Sequence, residues 1–202
     1  MARLIVYYAH PGHPYSQSNR PMADVAAAVD GITFVDLYRD YPRFDINADV
    51  EQQRLLDHDV ILFQFPMFWY STPSIIKEWQ DLVLEHGFAY GAGGDKLGGK
   101  TLMLAITAAG PEDAYSAGGY QHYPMRDFLR PLEQTARLCE MRFAAPYVLY
   151  GSLRASTDGR LDAHVGAYRT LLEAIRDDRY DWDAADDLEI IQAETVPLRG
   201  EG

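Results

Sequence analysis

The sequence holds a single cysteine, Cys139, so no disulfide can form within the chain, which suits a reducing compartment. A lone thiol of this kind is read as a small core hydrophobe. Nor does any apolar run approach the roughly 20 residues that a membrane-spanning helix needs. The opening stretch Arg3–Tyr8 is too short for the apolar region of a secretory leader, and His10 and Pro11 follow at once. A cytoplasmic protein is expected.

Basic residues are scarce as well: 18 Lys and Arg stand against 30 Asp and Glu, a formal net charge of −12. Nucleic acids and anionic lipid surfaces need basic patches, so neither is expected as a partner. A small anionic cofactor is still compatible, because backbone N–H groups and hydroxyls can hold a phosphate whatever the global charge. No cluster of His, Cys and carboxylates marks a metal; His10 and His13 alone are too few. The acids crowd after Arg176, from Asp177 and Asp178 to Asp186, Asp187 and Glu189. Residues 1–176 therefore read as one domain and 177–202 as a solvated acidic tail. Nearly half of the 202 residues are apolar, enough for one core.

What is present is a rhythm. Apolar, β-branched runs recur at Leu4–Tyr8, Ile32–Leu37, Val60–Phe65, Leu102–Thr107 and Tyr147–Tyr150 without polar alternation, as in strands covered on both faces. Helical stretches lie between them or follow: Pro21–Val29, Asp49–Leu56, Pro73–Leu84, Met125–Leu138 and Leu161–Arg176. Such alternation predicts a doubly wound parallel sheet. The Rossmann fingerprint G-x-G-x-x-G is missing after the first strand, where Ala9-His10-Pro11-Gly12 stands instead. The other common winding is flavodoxin-like, five strands in the order 2-1-3-4-5, with ligand loops after strands 1, 3 and 4. Gly94–Thr101 spells G-x-x-x-x-G-K-T, but it follows a helix and opens a strand, the reverse of a phosphate-binding loop.

The three loops are the unusual places. After strand 1, Ser16, Gln17, Ser18 and Asn19 set hydroxyl and amide groups at a helix N-terminus, either for a phosphate or as helix caps. After strand 3, Pro66-Met67-Phe68-Trp69-Tyr70 puts large aromatics in a stiffened loop, to be covered by a planar ring system, by a partner subunit or by both. After strand 4, Thr107-Ala108-Ala109-Gly110 leads into a long loop with Tyr115 and His122. Those two side chains could donate hydrogen bonds to charge developing during hydride transfer, or pack at an interface.

These loops, with His86-Gly87-Phe88-Ala89-Tyr90 between them, resemble the flavodoxin-like NAD(P)H:quinone reductases over residues 3–176. Within that family the resemblance is to the bacterial ancillary proteins of glutathione-regulated potassium-efflux antiporters. It implies a homodimer with a flavin near each subunit interface, FMN by analogy with that branch and FAD otherwise, and NADH or NADPH as donor. It also implies ping-pong transfer to a quinone-like acceptor. Carried over by position, His10 and Ser16–Asn19 match the phosphate and ribityl loop, and Met67–Tyr70 the segment along the flavin ring. Thr107–Gly110 matches a loop that usually reads Thr-Thr-Gly-Gly, with Ala108 and Ala109 in the two middle places. Tyr115 sits at the spacing of the catalytic tyrosine, and His122 one residue off that of the histidine. The branch further implies an antiporter partner and peripheral association with the inner face of the cell membrane. Two other roles fit the same loops: a flavin-bearing regulatory subunit with little turnover, and a flavodoxin-type electron carrier.

Overall fold

In the computed structural model, which describes residues 1–200, the apolar runs form parallel strands joined by helices. In chain order these are β1 (Leu4–Tyr8), α1 (Asn19–Ala27), β2 (Thr33–Asp36), α2 (Leu37–Asp40), α3 (Ala48–Leu56), β3 (Val60–Pro66), α4 (Ser74–Val83) and β4 (Thr101–Thr107). There follow α5 (Met125–Phe128), α6 (Arg130–Leu138), β5 (Arg142–Phe143), β6 (Tyr147–Leu149), α7 (Arg160–Arg176) and α8 (Trp182–Asp186). The sheet order is β2-β1-β3-β4-β5, the flavodoxin-like order, with β6 also paired to β4 and every pairing parallel.

The fifth position differs from the expected single strand at Tyr147–Tyr150. It is shared by β5, against the start of β4, and β6, against its end. Pro146 lies between them and has no N–H to give to the ladder, so the pairing breaks there. The expected helix Met125–Leu138 is likewise two helices, restarting at Arg130. Pro131 sits in the first turn of α6, where a missing N–H costs nothing.

Every residue of β1, β3 and β4 is buried, which is why these runs show no polar alternation. Alternate side chains serve opposite layers. Ile5, Tyr7, Ile61, Phe63 and Leu104 join a core with Leu55, Ile75, Ile76 and Trp79 of α3 and α4. Val6, Leu62, Met103 and Ala105 join a second core with Met22, Leu171 and Ile175 of α1 and α7. Trp79 packs with its ring 5.2 Å from Tyr7 and 5.1 Å from Phe63, so truncation to Ala would cost roughly 3–5 kcal/mol. Its Nε1 also donates to the fully buried Glu51, which accepts from Tyr41 and Arg54 as well. Three donors on one carboxylate make that burial tolerable and tie α3 to α4.

The segment after Arg176 is not the solvated tail the charge pattern suggests. Its carboxylates face water while Tyr180, Ala185 and Ile191 are buried. Val148 of β6 donates its N–H to Ile191, and Ile191 donates its own to Pro146, both at 2.9 Å. An apolar residue every few positions was enough to fold an acidic stretch onto the sheet edge. The Gly94–Thr101 motif is a turn feeding β4, with the Gly98 N–H on Asp95 and the Gly99 N–H on Glu140, leaving no cradle for a phosphate. No helix among the described residues is long and apolar enough to cross a membrane.

Candidate functional site

In a parallel sheet all strands end on the same edge, so the loops after β1, β3, β4 and β6 converge. They line a cavity of about 610 Å³. The first loop supplies His10 and the run Ser16–Asn19 to its wall, the second Pro66, Met67 and Phe68, the third Thr107 and Ala109. Ser152 and Leu153, after β6, line it too and went unrecognised in the sequence. That loop carries no motif; its signal was only its place at the end of the fifth apolar run.

One end of the cavity is polar and braced. Ser16 Oγ accepts from the N–H groups of Asn19 (3.0 Å) and Arg20 (3.3 Å), so Ser16, rather than Ser18 or Asn19, caps α1. Ser18 is buried and donates its hydroxyl to the carbonyl of Ser152 at 2.9 Å. Asn19 Nδ2 donates to Thr107 Oγ1 at 2.5 Å, and Gln64 Nε2 donates to the Asn19 carbonyl at 2.9 Å. With Asn19 supplying that hydrogen, the Thr107 hydroxyl keeps its own proton for the cavity. Gln64 Oε1 is buried beside them without a partner, and the N–H groups of Gln17 and Ser18 reach no protein acceptor among the described residues. Unpartnered N–H groups at a helix N-terminus fit a phosphate, and no Lys or Arg lines the wall to compete with them.

His10 is half-buried beside this end. Its Nδ1 accepts the N–H of Gly12 at 3.0 Å, which leaves any proton on Nε2. Burial, aided by the neighbouring His13, lowers its pKa below the usual 6.5, so the ring is neutral at pH 7. Its edge meets Phe68, ring centres 5.7 Å apart.

The other end is aromatic and open. Phe68 and Ser71 exchange two backbone hydrogen bonds of 3.1 Å around a two-residue turn, whose central residues Trp69 (φ 50°) and Tyr70 (φ 64°) are both left-handed. Bulky side chains there cost of order 1–2 kcal/mol per residue, a strain of the kind that functional loops retain. Trp69 is 93% exposed and Tyr70 half exposed, so neither forms part of the cavity wall. Tyr70 instead stacks on Phe128, at 5.2 Å, and Tyr115 packs against Phe128 and Tyr150.

Ala108, Gly110, Tyr115 and His122 also lie off the wall. Ala108 points into the core, with its N–H already on Leu149 and its carbonyl accepting from Ser152. A Cβ at Gly110 would sit 3.0 Å from the Tyr120 hydroxyl and 3.1 Å from the Tyr115 ring, so a side chain there would press on both tyrosines. Burial raises the Tyr115 pKa above 10, which keeps the phenol protonated. His122 is exposed, with a left-handed φ of 63°.

The sequence family described as a flavodoxin-like fold matches residues 2–172. The chain belongs to that family. Its relatives include the glutathione-regulated potassium-efflux system ancillary protein KefG of Yersinia enterocolitica, 42% identical over 85% of this chain and 93% of that one. Among solved structures, general stress protein 14 of Treponema denticola in complex with FMN is 30% identical with a TM-score of 0.79, covering 86% of this chain and 99% of that one. An NADPH-quinone reductase from P. pentosaceus is 26% identical with a TM-score of 0.74, covering 83% and 96%. The family match stops inside α7, so the segment that folds back over the sheet edge lies beyond it.

Proposed function

We propose that the protein is a flavin-dependent NAD(P)H:quinone oxidoreductase, with FMN in the cavity. The observation that carries this reading is the polarity of the site: unpartnered N–H groups and hydroxyls at one end, exposed aromatics at the other. That is the polarity of a ribityl phosphate joined to a flat ring. Ser16, Gln17, Ser18, Asn19, His10 and Thr107 would hold the phosphate and ribityl chain, and Pro66, Met67, Phe68 and Ala109 the ring, with Trp69, Tyr70 and Gly110 just outside the wall. Ala108, buried and with both backbone groups bonded to β6 and the loop after it, would support the wall from behind rather than touch the cofactor. The FMN complex and the NADPH-quinone reductase among the similar structures support the cofactor and the acceptor class.

A flavin supplies the hydride acceptor and donor, for the overall reaction NAD(P)H + H⁺ + quinone → NAD(P)⁺ + hydroquinone. The chain's part is orientation and charge. The phosphate end fixes position, the Phe68–Tyr70 turn limits one open face, and donor and acceptor must take that face in turn, which gives ping-pong kinetics. Tyr115, protonated throughout the neutral range, would reach in from beside the wall to donate a hydrogen bond where negative charge grows; His122 would be the second donor. Trp69, Tyr70, Tyr120 and Tyr123 together expose more aromatic surface than a monomer usually leaves bare, which supports a homodimer.

The likeness to KefG favours a second role, as an ancillary subunit of a potassium-efflux antiporter. Purified protein is expected to release one FMN per chain on denaturation, identified by mass spectrometry, and to oxidise NADH or NADPH only when a benzoquinone is supplied. Bound FMN with negligible turnover would leave the ancillary role standing alone. Failure to bind FMN or FAD would remove both.

A further inference from the structure

The loop Pro111–Tyr123, which carries Tyr115 and His122, packs through Tyr115 on Phe128 and Tyr150 and is otherwise hydrogen-bonded mainly to itself. Its hydrogen bonds run between its own residues: Tyr115 N–H to Glu112, Gln121 N–H to Ala114, His122 N–H to Gly119. Apart from a bond of the Tyr115 side chain to the Gly110 backbone at the loop's own base, the one hydrogen bond that leaves it among the described residues runs from Gln192 Nε2 to Glu112 Oε1 at 2.8 Å. Gln192 belongs to the segment beyond α7, outside the family match.

That segment is built to hold Gln192 still. The residue before it, Ile191, is fully buried and bonded through both backbone groups to the β6 strand and Pro146. Gln192 itself closes a turn, its N–H donating to Thr195 Oγ1 at 2.9 Å and its carbonyl accepting from Thr195 N–H at 3.1 Å. Further back, Trp182 packs on buried Tyr180 at 4.5 Å, and Asp186 pairs with Arg142 of β5 at 3.5 Å. The far end is closed by Asp181 N–H on Pro197 and Arg199 N–H on Arg179. An extension needing only to be soluble would require none of these ties.

We propose that residues 177–200 are a brace for the site, and that Gln192 is a positioning residue which, through Glu112, holds the Pro111–Tyr123 loop in register with the cavity. This rests on the role given to Tyr115 above. An exposed hydrogen bond is weak when both partners are free to move, but here the donor side is already ordered, so little further entropy is lost in making it.

The test exchanges donor and acceptor. Gln192→Glu sets two carboxylates against each other. The double variant Glu112→Gln/Gln192→Glu restores the bond with its direction reversed. In the FMN-free full-length protein, amide exchange of peptides within 111–123 is expected to speed several-fold in Gln192→Glu and to return to wild type in the double variant. Exchange in β6 and the melting temperature should hardly change. In FMN-loaded protein, flavin reduction by NADH or NADPH is expected to slow by roughly three- to ten-fold in the single variant, with FMN affinity unchanged, and to recover in the double. Unchanged loop exchange in Gln192→Glu, or a double variant no better than the single, overturns the brace. Exchange that follows the swap while the reduction rate does not overturns the positioning role. A swap-dependent exchange in a protein that binds no flavin would keep the brace and discard the quinone-reductase reading.

Discussion

At the Ser16–Asn19 end of the cavity Ser18 and Asn19 are buried and tied to Ser152 and Thr107; at the Phe68–Tyr70 end the side chains are exposed and tied to little. Ser18 and Asn19 keep no more than 6% of their surface, while Trp69 keeps 93%. The polar end is preorganised: its donors are aimed before anything binds, so a ligand there loses little to rearrangement. The aromatic end holds backbone strain and apolar surface that only a ligand or another chain can cover. One end is suited to anchoring, the other to exchange of substrates.

The largest expected effect tests the anchor. Ser16→Glu would set a carboxylate against the α1 N-terminus, where the helix dipole favours negative charge and offsets part of the lost Ser16 cap, so the fold should be kept. The same carboxylate would occupy the phosphate's place. Ser16 is the better position for this test than Ser18, whose hydroxyl is committed to Ser152 and whose burial leaves no room for an acid. FMN affinity, read by fluorescence titration, is expected to fall about 100-fold, near 2.7 kcal/mol. Affinity within a few-fold of wild type would place the phosphate elsewhere and remove the contrast between the ends.

A smaller effect tests the exchange end. Tyr115→Phe keeps the ring against Phe128 and Tyr150 and loses one hydroxyl. Flavin reduction by NADPH, followed by stopped flow, is expected to slow about ten-fold, with FMN affinity and melting temperature unchanged. A wild-type rate would make Tyr115 part of the aromatic wall and leave His122 as the hydrogen-bond donor.

The two ends also differ in how readable they were. The sheet order and the run Ser16–Asn19 could be read from the chain, because burial on both faces and polar groups at a helix start leave local patterns. Tyr115 and Phe68–Tyr70 stood out as aromatics in loops, but whether such a residue lines a cavity or points away depends on backbone turns: the left-handed pair Trp69–Tyr70 turns both outward. Ser152 and Leu153 had no local signal, because their loop joins the site only through pairing of β6 with distant β4. The acidic segment misled for a related reason. Net charge reports the many outward residues, and burial of Tyr180 and Ile191 rests on few.

The smallest expected effect is one of pH and separates the ends by their titrating groups. His10 Nδ1 must be unprotonated to accept the Gly12 N–H, and burial beside His13 holds its pKa below 6.5. A histidine depressed in this way binds fewer protons folded than unfolded as pH falls through 6.5. The stability it contributes is therefore complete above that value and lost progressively below it. Tyr115, raised above 10, is silent in the same range. His10→Asn keeps an acceptor, Oδ1, in the place of Nδ1 and cannot titrate. The melting temperature of FMN-free protein is thus expected to fall further between pH 7 and pH 5 in wild type than in His10→Asn, since the carboxylates contribute alike to both. Adding FMN should narrow the gap, because a phosphate beside His10 favours the protonated ring and raises its folded pKa. Parallel melting curves for the two apoproteins would mean that His10 does not titrate at the polar end, and that its bond to Gly12 is not the acid-sensitive joint of this loop.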